Sequence, residues 1–237
     1  MFGRLFGAKT PILDSLPEVR GKYIENAKLA KHTWFGVGGP AEVLFLPEDA
    51  DDLKTFLMRK PAAIPVTVIG GGSNLLIRDG GIPGVVVKLD APAFRQVKFD
   101  GAEDFNFSYR SSMFPENWIV LDATLKGVKA APEEIRKTMD EQLAYRLAHQ
   151  PINKKTAGST FKNPEGLQAW KLIKEAGCAG LKVGGAEVSD MHCNFLINRG
   201  KATAEDIEEL GEMIIEKVKE KTAITLEWEV RRMGVKK

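Results

Sequence analysis

The spacing of apolar residues divides the chain into short β-like runs and longer helical stretches. Residues 41–47 (AEVLFLP) form an apolar run stopped by proline, which predicts a buried strand. Residues 48–58 open with acidic side chains and continue with Leu53, Phe56 and Leu57, the pattern of a helix with its acids at the positive end. Two β-branched runs, residues 65–69 (PVTVI) and 84–89 (GVVVKL), predict further strands, the first ending in Gly70-Gly71-Gly72. Strand, helix, strand and glycine loop in that order suggest an α/β or α+β layer domain. After Leu89 the character changes. Residues 90–103 show no clear element, Phe105, Phe107 and Tyr109 alternate with polar residues like a half-buried strand, and residues 118–126 (WIVLDATLK) read as another. Pro132 opens a helix in which Ile135, Met139, Leu143 and Leu147 recur every four residues until Gln150-Pro151. The last third predicts a helix over 169–176, glycine-rich loops around Gly177, Gly180, Gly184 and Gly185, and a strand over 193–197 (CNFLI). Thr203 and Asp206 begin a capped helix that runs to Glu220, with Ile207, Leu210, Ile214 and Val218 on one face. Residues 223–230 (AITLEWEV) alternate as a final strand.

Composition narrows the class without naming a function. With 237 residues, 43% hydrophobic and 28% charged, the chain can bury a core, and disordered, collagen-like and disulfide-scaffold classes are excluded. The formal net charge is +2, so there is no electrostatic case for nucleic acid or an anionic membrane as the main partner. No apolar stretch is long enough to span a bilayer, and residues 1–16 lack the apolar core of a signal peptide. Cys178 and Cys193 match no metal spacing and fit a reducing compartment. The expectation is a cytoplasmic protein without a metal centre.

Five motifs carry candidate chemistry. Gly70-Gly71-Gly72-Ser73-Asn74 follows an apolar strand; its backbone N–H groups can approach an anion such as a pyrophosphate, although a tight turn is the commoner reason for such a run. The block His32 to Ala41 (HTWFGVGGPA) sets Gly36, Gly38 and Gly39 among aromatics, as backbone packed against a planar ligand or another chain segment would require. Tyr109-Arg110-Ser111-Ser112 ends an expected strand, where an arginine can clamp a carboxylate or merely pair at the surface. In residues 158–164 (GSTFKNP), Ser159 is a donor for an anionic substrate, or the Asn-Pro pair simply caps the next helix. Glu227 and Glu229 alternate onto one face of a strand, where solvation is the default.

Each signal is weak alone, but the order is specific. HTWFGVGGPAE, IGGGSNLLIRDGGIPGVVVKL, FSYRSSMF, GSTFKNP, HCNFLIN and LEWEVRRMG together resemble the UDP-N-acetylenolpyruvoylglucosamine reductase (MurB) family, in its shorter variant, across most of residues 21–234. The resemblance implies an α+β, two-domain FAD-binding (PCMH/MurB-like) fold: a leader over 1–20, an FAD-binding domain over 21–127 and a C-terminal substrate-binding domain over 128–237. It implies an oxidoreductase of peptidoglycan precursor synthesis in which NADPH reduces FAD and a hydride passes to the enolpyruvyl group of a UDP-sugar, giving UDP-N-acetylmuramate. Ser159 matches the family's proton donor, and Arg110 and Glu229 its other catalytic positions. Tyr109, Asn163 and His192 match substrate-contacting positions. Gly70, Gly71, Gly72, Ser73 and Asn74 match the loop that holds the FAD pyrophosphate, and Gly36, Gly38 and Gly39 lie in the same cofactor domain.

One departure stands out. Between about residues 90 and 106 the chain lacks the further glycine-rich stretch of the family's FAD domain, passing from VVVKLDAPAFRQVKFDG through AEDF into FSYRSS. An internal deletion there predicts a flavin site lined on one side, hence weakened FAD binding, and apolar strand surface stripped of cover.

Overall fold

Period-two alternation along the strands decides which layer each side chain joins. A computed structural model describes residues 12–94, 97–98, 108–113, 118–121, 123–124 and 127–237. Its first part contains β1 (Lys22–Lys28), β2 (Pro40–Leu46), α1 (Ala50–Arg59), β3 (Val66–Ile69), β4 (Leu75–Ile77) and β5 (Ile82–Lys88). Four of these strands form a sheet in the order β1-β2-β5-β3, with β1 antiparallel to β2 and the other pairs parallel. Val43 and Phe45 of β2 and Val85 and Val87 of β5 pack in one buried cluster with Leu53 and Phe56 of α1. Their neighbours Ala41, Leu44 and Val86 join a second cluster with Leu29, Ile69 and Ile77. The sheet is therefore buried on both faces, and each such side chain contributes about 1.5–3 kcal/mol.

The chain continues through the two-residue strands β6 (Val97–Lys98) and β7 (Ala123–Thr124), which pair in parallel, to α2 (Pro132–His149), whose residues are all exposed. There follow α3 (Ala169–Glu175), β8 (Lys182–Val183), β9 (Ala186–Val188), β10 (Leu196–Asn198), α4 (Ala204–Thr222) and β11 (Arg231–Met233). Strands β8, β9 and β10 form an antiparallel meander, and Ile207, Leu210, Ile214 and Val218 of α4 are fully buried in the core beside it. The Thr203–Asp206 capping box is formed in both directions.

The two parts interlock. Phe35, Val37 and Leu76 lie in the same core as α3 and α4, and β11 pairs in parallel with β4. Arg78, just after β4, donates to both carboxylate oxygens of Glu208 on α4 at 3.0 and 2.8 Å. That pairing, chiefly a hydrogen bond, holds the Glu208 carboxyl below its ordinary range despite burial.

Several expected strands are shorter or absent. Residues 223–230 form only an isolated bridge at Trp228, and the strand begins at Arg231, because Glu229 and Val230 both turn their N–H groups onto the Thr160 carbonyl. The strand expected over 193–197 starts at Leu196, since the Asn194 side chain takes over both backbone groups of Phe161. Residues 118–121 are irregular, and of the expected 118–126 strand only Ala123–Thr124 pairs, while residues 122, 125 and 126 lie outside the described residues. Ser108 and Ser111 exchange backbone hydrogen bonds of 2.9 and 3.1 Å, so Tyr109 and Arg110 occupy a tight turn instead of a strand end; Phe105 and Phe107 lie outside the described residues. Among the described residues no helix is long and apolar enough to cross a membrane, and no cluster of His, Cys, Asp and Glu is suited to a metal ion.

Candidate active site

Residues 159–163 run beside residues 227–229, joined by the Phe161–Trp228 bridge, by Lys162 N–H to the Glu227 carbonyl (2.9 Å) and by Glu229 N–H to the Thr160 carbonyl (2.8 Å). The Tyr109–Arg110 turn faces this pair of segments. Arg110 has φ +55°, a left-handed conformation uncommon for a non-glycine residue and set here by the tight turn. From it the guanidinium Nε reaches 2.6 Å from Oε1 of Glu229. The guanidinium also lies over the Tyr109 ring, 5.0 Å from its centroid, and the Tyr109 hydroxyl accepts from Asn163 N–H at 3.3 Å. The two glutamates of the LEWEV run differ: Glu227 pairs with Lys162 in solvent, whereas the Glu229 side chain is only 17% exposed.

The glycine loop reaches the same place. Asn74 donates through Nδ2 to the Glu229 carbonyl at 3.2 Å and accepts the Arg231 N–H on its own carbonyl at 3.1 Å. Ser159 is half-buried and bridges to Phe195, following Gly158, which has φ +81°. The His192 ring meets the same Phe195 edge-on at 4.7 Å and tilts against Trp170 at 6.0 Å. Burial pushes its pKa below the ordinary histidine range, so the imidazole is neutral at pH 7, and its buried Nδ1 has no hydrogen-bond partner. Asn163 has a second task, because its Oδ1 accepts the N–H of Ala169 and caps α3.

The glycines separate into two kinds. At Gly70 and Gly71 no atom lies within 4 Å of where a β-carbon would project, and both are exposed together with Ser73 and Asn74. Such an open stretch of backbone fits the diphosphate of a dinucleotide. Gly72, by contrast, packs on the His32 carbonyl and accepts from Trp34 N–H at 3.1 Å. Gly36, Gly38 and Gly39 are walled by Lys155, Ile77 and the Asp79 backbone respectively, so that block seats chain on chain. Tyr109, Arg110, Asn163, Glu229 and Asn74 thus converge, Ser159 and His192 share Phe195, and Gly36 to Gly39 stand apart.

Sequence reasoning missed Trp228. Its indole lies against Gly211 in the middle of α4, where a β-carbon would come within 2.2 Å of two ring carbons. A glycine on the buried face of an otherwise regular helix costs about 1 kcal/mol and so signals a close neighbour. That signal was available.

A strand-and-glycine-loop unit joined to an α+β unit, with an arginine–carboxylate pair where they meet, defines an α+β protein whose candidate site is assembled from both units. Residues 150–233 match the model of the UDP-N-acetylenolpyruvoylglucosamine reductase C-terminal domain. The UDP-N-acetylenolpyruvoylglucosamine reductase of Bradyrhizobium sp. (strain ORS 278) is 42% identical over 299 positions, covering 96% of this chain and 97% of the relative. That of Parvibaculum lavamentivorans is 39% identical, covering 97% of each. The crystal structure of UDP-N-acetylenolpyruvylglucosamine reductase (MurB) from Thermus caldophilus superposes with a TM-score of 0.72 at 28% identity, over 92% of this chain and 100% of that one. The chain belongs to the UDP-N-acetylenolpyruvoylglucosamine reductase family. Because the alignment with the Bradyrhizobium relative spans 299 positions and the chain has 237 residues, several dozen aligned positions have no counterpart here.

Proposed function

We propose that this protein reduces UDP-N-acetylglucosamine enolpyruvate to UDP-N-acetylmuramate, an NADPH-dependent step of cytoplasmic peptidoglycan precursor synthesis. In this reading residues 21–127 form the FAD-binding domain, shortened between about 90 and 106, and residues 128–237 bind the UDP-sugar, with residues 1–20 as a leader. The observation that carries it is the Arg110–Glu229 pair at 2.6 Å, tied through the Glu229 carbonyl to Asn74 of the glycine loop. Three separated segments thereby meet at one point.

Gly70, Gly71, Ser73 and Asn74 are the groups that would hold the FAD diphosphate. FAD, when bound, supplies the hydride it receives from NADPH. The chain's own residues handle charge and proton. Arg110 stabilises the negative charge that spreads into the substrate carboxylate, as a preorganised donor does where charge develops. Glu229 keeps that guanidinium aimed and, being mostly shielded from water, hydrogen-bonds the enol form. Ser159, half-buried, delivers a proton to the substrate carbon; a hydroxyl is a weak acid, and exclusion of water by the bound substrate supplies the setting it needs. Tyr109, Asn163 and neutral His192 contact the substrate, Asn163 through its amide donors because its oxygen already caps α3.

Ser159→Ala is expected to lower kcat by about 10²-fold or more while leaving UDP-sugar affinity within a few-fold. A kcat equal to that of the unaltered protein would remove Ser159 from the reaction. The gapped alignment favours a second reading, a UDP-sugar-binding relative that does not retain flavin. A visible spectrum with an NADPH-consumption assay separates the two. Flavin absorbance that is lost on gel filtration but restored with added FAD, together with turnover, supports a reductase with a loosely held cofactor. Substrate binding with neither flavin uptake nor turnover supports the second reading.

A further inference from the structure

We propose that Asn194 is a positioning residue, the buried tie that fixes Ser159 and Glu229 in relation to one another. The roles of Ser159 and Glu229 rest on the reductase reading above; the tie rests on geometry alone. Asn194 is 3% exposed, a depth at which a polar side chain must have its hydrogen bonds made. Three of its groups bond to two adjacent residues. Its Oδ1 accepts Phe161 N–H at 2.9 Å, its Nδ2 donates to the Phe161 carbonyl at 2.8 Å, and its own carbonyl accepts Thr160 N–H at 2.7 Å. The side-chain amide thus stands where a neighbouring strand would. Residues 160 and 161 cannot slide or tilt without leaving a buried backbone group unpaired.

That strip passes the constraint on in both directions. Ser159 immediately precedes it and bridges to Phe195, the residue after Asn194. On the other side, the Thr160 carbonyl accepts the N–H groups of Glu229 and Val230 at 2.8 and 3.3 Å. Glu229 in turn meets Arg110 through its carboxylate and Asn74 through its carbonyl. One buried amide therefore sets the spacing between the proton donor and the carboxylate that aims the arginine. His192 lies only two residues away but is held by other bonds. Phe195 N–H donates to the His192 carbonyl at 2.9 Å, and His192 N–H to Ser189 Oγ at 3.3 Å. Removing the Asn194 amide frees the strip and leaves the His192 turn closed, so substrate binding should survive while the reacting geometry does not.

The test uses the full chain and two variants: Asn194→Ala, which removes both side-chain bonds, and Asn194→Asp, which keeps the volume and the acceptor but loses the donor. If Asn194→Ala does not fold, Asn194→Asp carries the test with the same expected pattern. Amide hydrogen exchange, which needs no cofactor, is expected to speed up at Thr160, Phe161 and Glu229 by about tenfold or more and at Val86 of the β2–β5 sheet by less than about threefold. With excess FAD, NADPH and the enolpyruvyl UDP-sugar, kcat is expected to fall by about tenfold or more, with KM within about threefold. Added to Ser159→Ala, the Asn194 substitution is expected to lower kcat by no more than about threefold further, because the two act on the same step. Exchange that rises equally at all these amides, a KM effect without a kcat effect, or losses that multiply in the double variant each overturn the proposal. An unaltered protein with no turnover at saturating FAD counts against the reductase reading instead, and the exchange pattern then decides whether Asn194 is the tie.

Discussion

Trp228 shows how much a single seat can fix. Its ring packs on Phe161 at 5.2 Å, lies beneath the Arg232 guanidinium at 4.6 Å and donates through Nε1 to Glu212 at 3.0 Å, with Gly211 as its floor. The next residue is Glu229, so the indole sets where the partner of Arg110 lies. Replacing a helical glycine by alanine ordinarily gains about 1 kcal/mol, but at position 211 the new methyl must displace the indole. Gly211→Ala is therefore expected to destabilise the fold by about 1–3 kcal/mol in urea unfolding, a reversal of the usual sign. Arg110, Ser159, Asn163 and Glu229 stood out in the sequence because each lies inside a distinctive block. What those blocks could not carry was the contact between them: the Arg110–Glu229 pair joins residues far apart in the chain, and the double use of Asn163 depends on where α3 begins.

Among the elements, α4 is the best documented by its own sequence and still conceals a partner. Thr203 Oγ1 accepts from Asp206 N–H and Asp206 Oδ2 from Thr203 N–H, both at 3.0 Å, which the residue pattern predicted. Asp79, far upstream, accepts the N–H groups of Ala204 and Glu205 at 3.1 and 3.0 Å, and no local pattern could reveal that. Capping from two directions satisfies the exposed donors of the first turn and binds the helix to the end of β4. Asp79→Ala is expected to cost about 1–2 kcal/mol, seen as a lower urea midpoint at unchanged slope. The sheet strands β2, β3 and β5 were legible because both faces are buried and their apolar runs are unbroken. Residues 193–195 and 223–230 misled for the opposite reason. Their alternation is real, but Asn194 and the Thr160 carbonyl capture the backbone groups that a longer ladder would have used.

At the scale of the whole molecule, buried carboxylates govern the response to acid. Glu208, bonded by Arg78 and with Arg232 at 3.2 Å, titrates below its ordinary range; Asp206, which burial pushes up, is held down by hydrogen bonds from Thr203 and Gly185. For both, the unfolded chain binds protons more readily than the native one as pH falls through the ordinary carboxylate range near about 4. Their stabilisation is thus complete above that range and lost below it. His192 acts earlier, since its unfolded form takes up a proton near about pH 6.5 that the native form refuses. Thermal unfolding is expected to show a shallow loss of Tm beginning below about pH 6.5, which His192→Gln lessens while His32, held down likewise by burial, keeps its share, and a steep loss below about pH 4.5, which Glu208→Gln lessens. The parallel pairing of β4 with β11 has a consequence of another kind. Asn74 and the Glu229 carbonyl it bonds are separated by 155 residues, so the glycine loop is synthesised long before the strand that anchors it. Such remote pairings form slowly because a long loop must close first. During synthesis the nascent loop waits without its anchor, and the junction of Asn74 with Glu229 is expected to form late in folding.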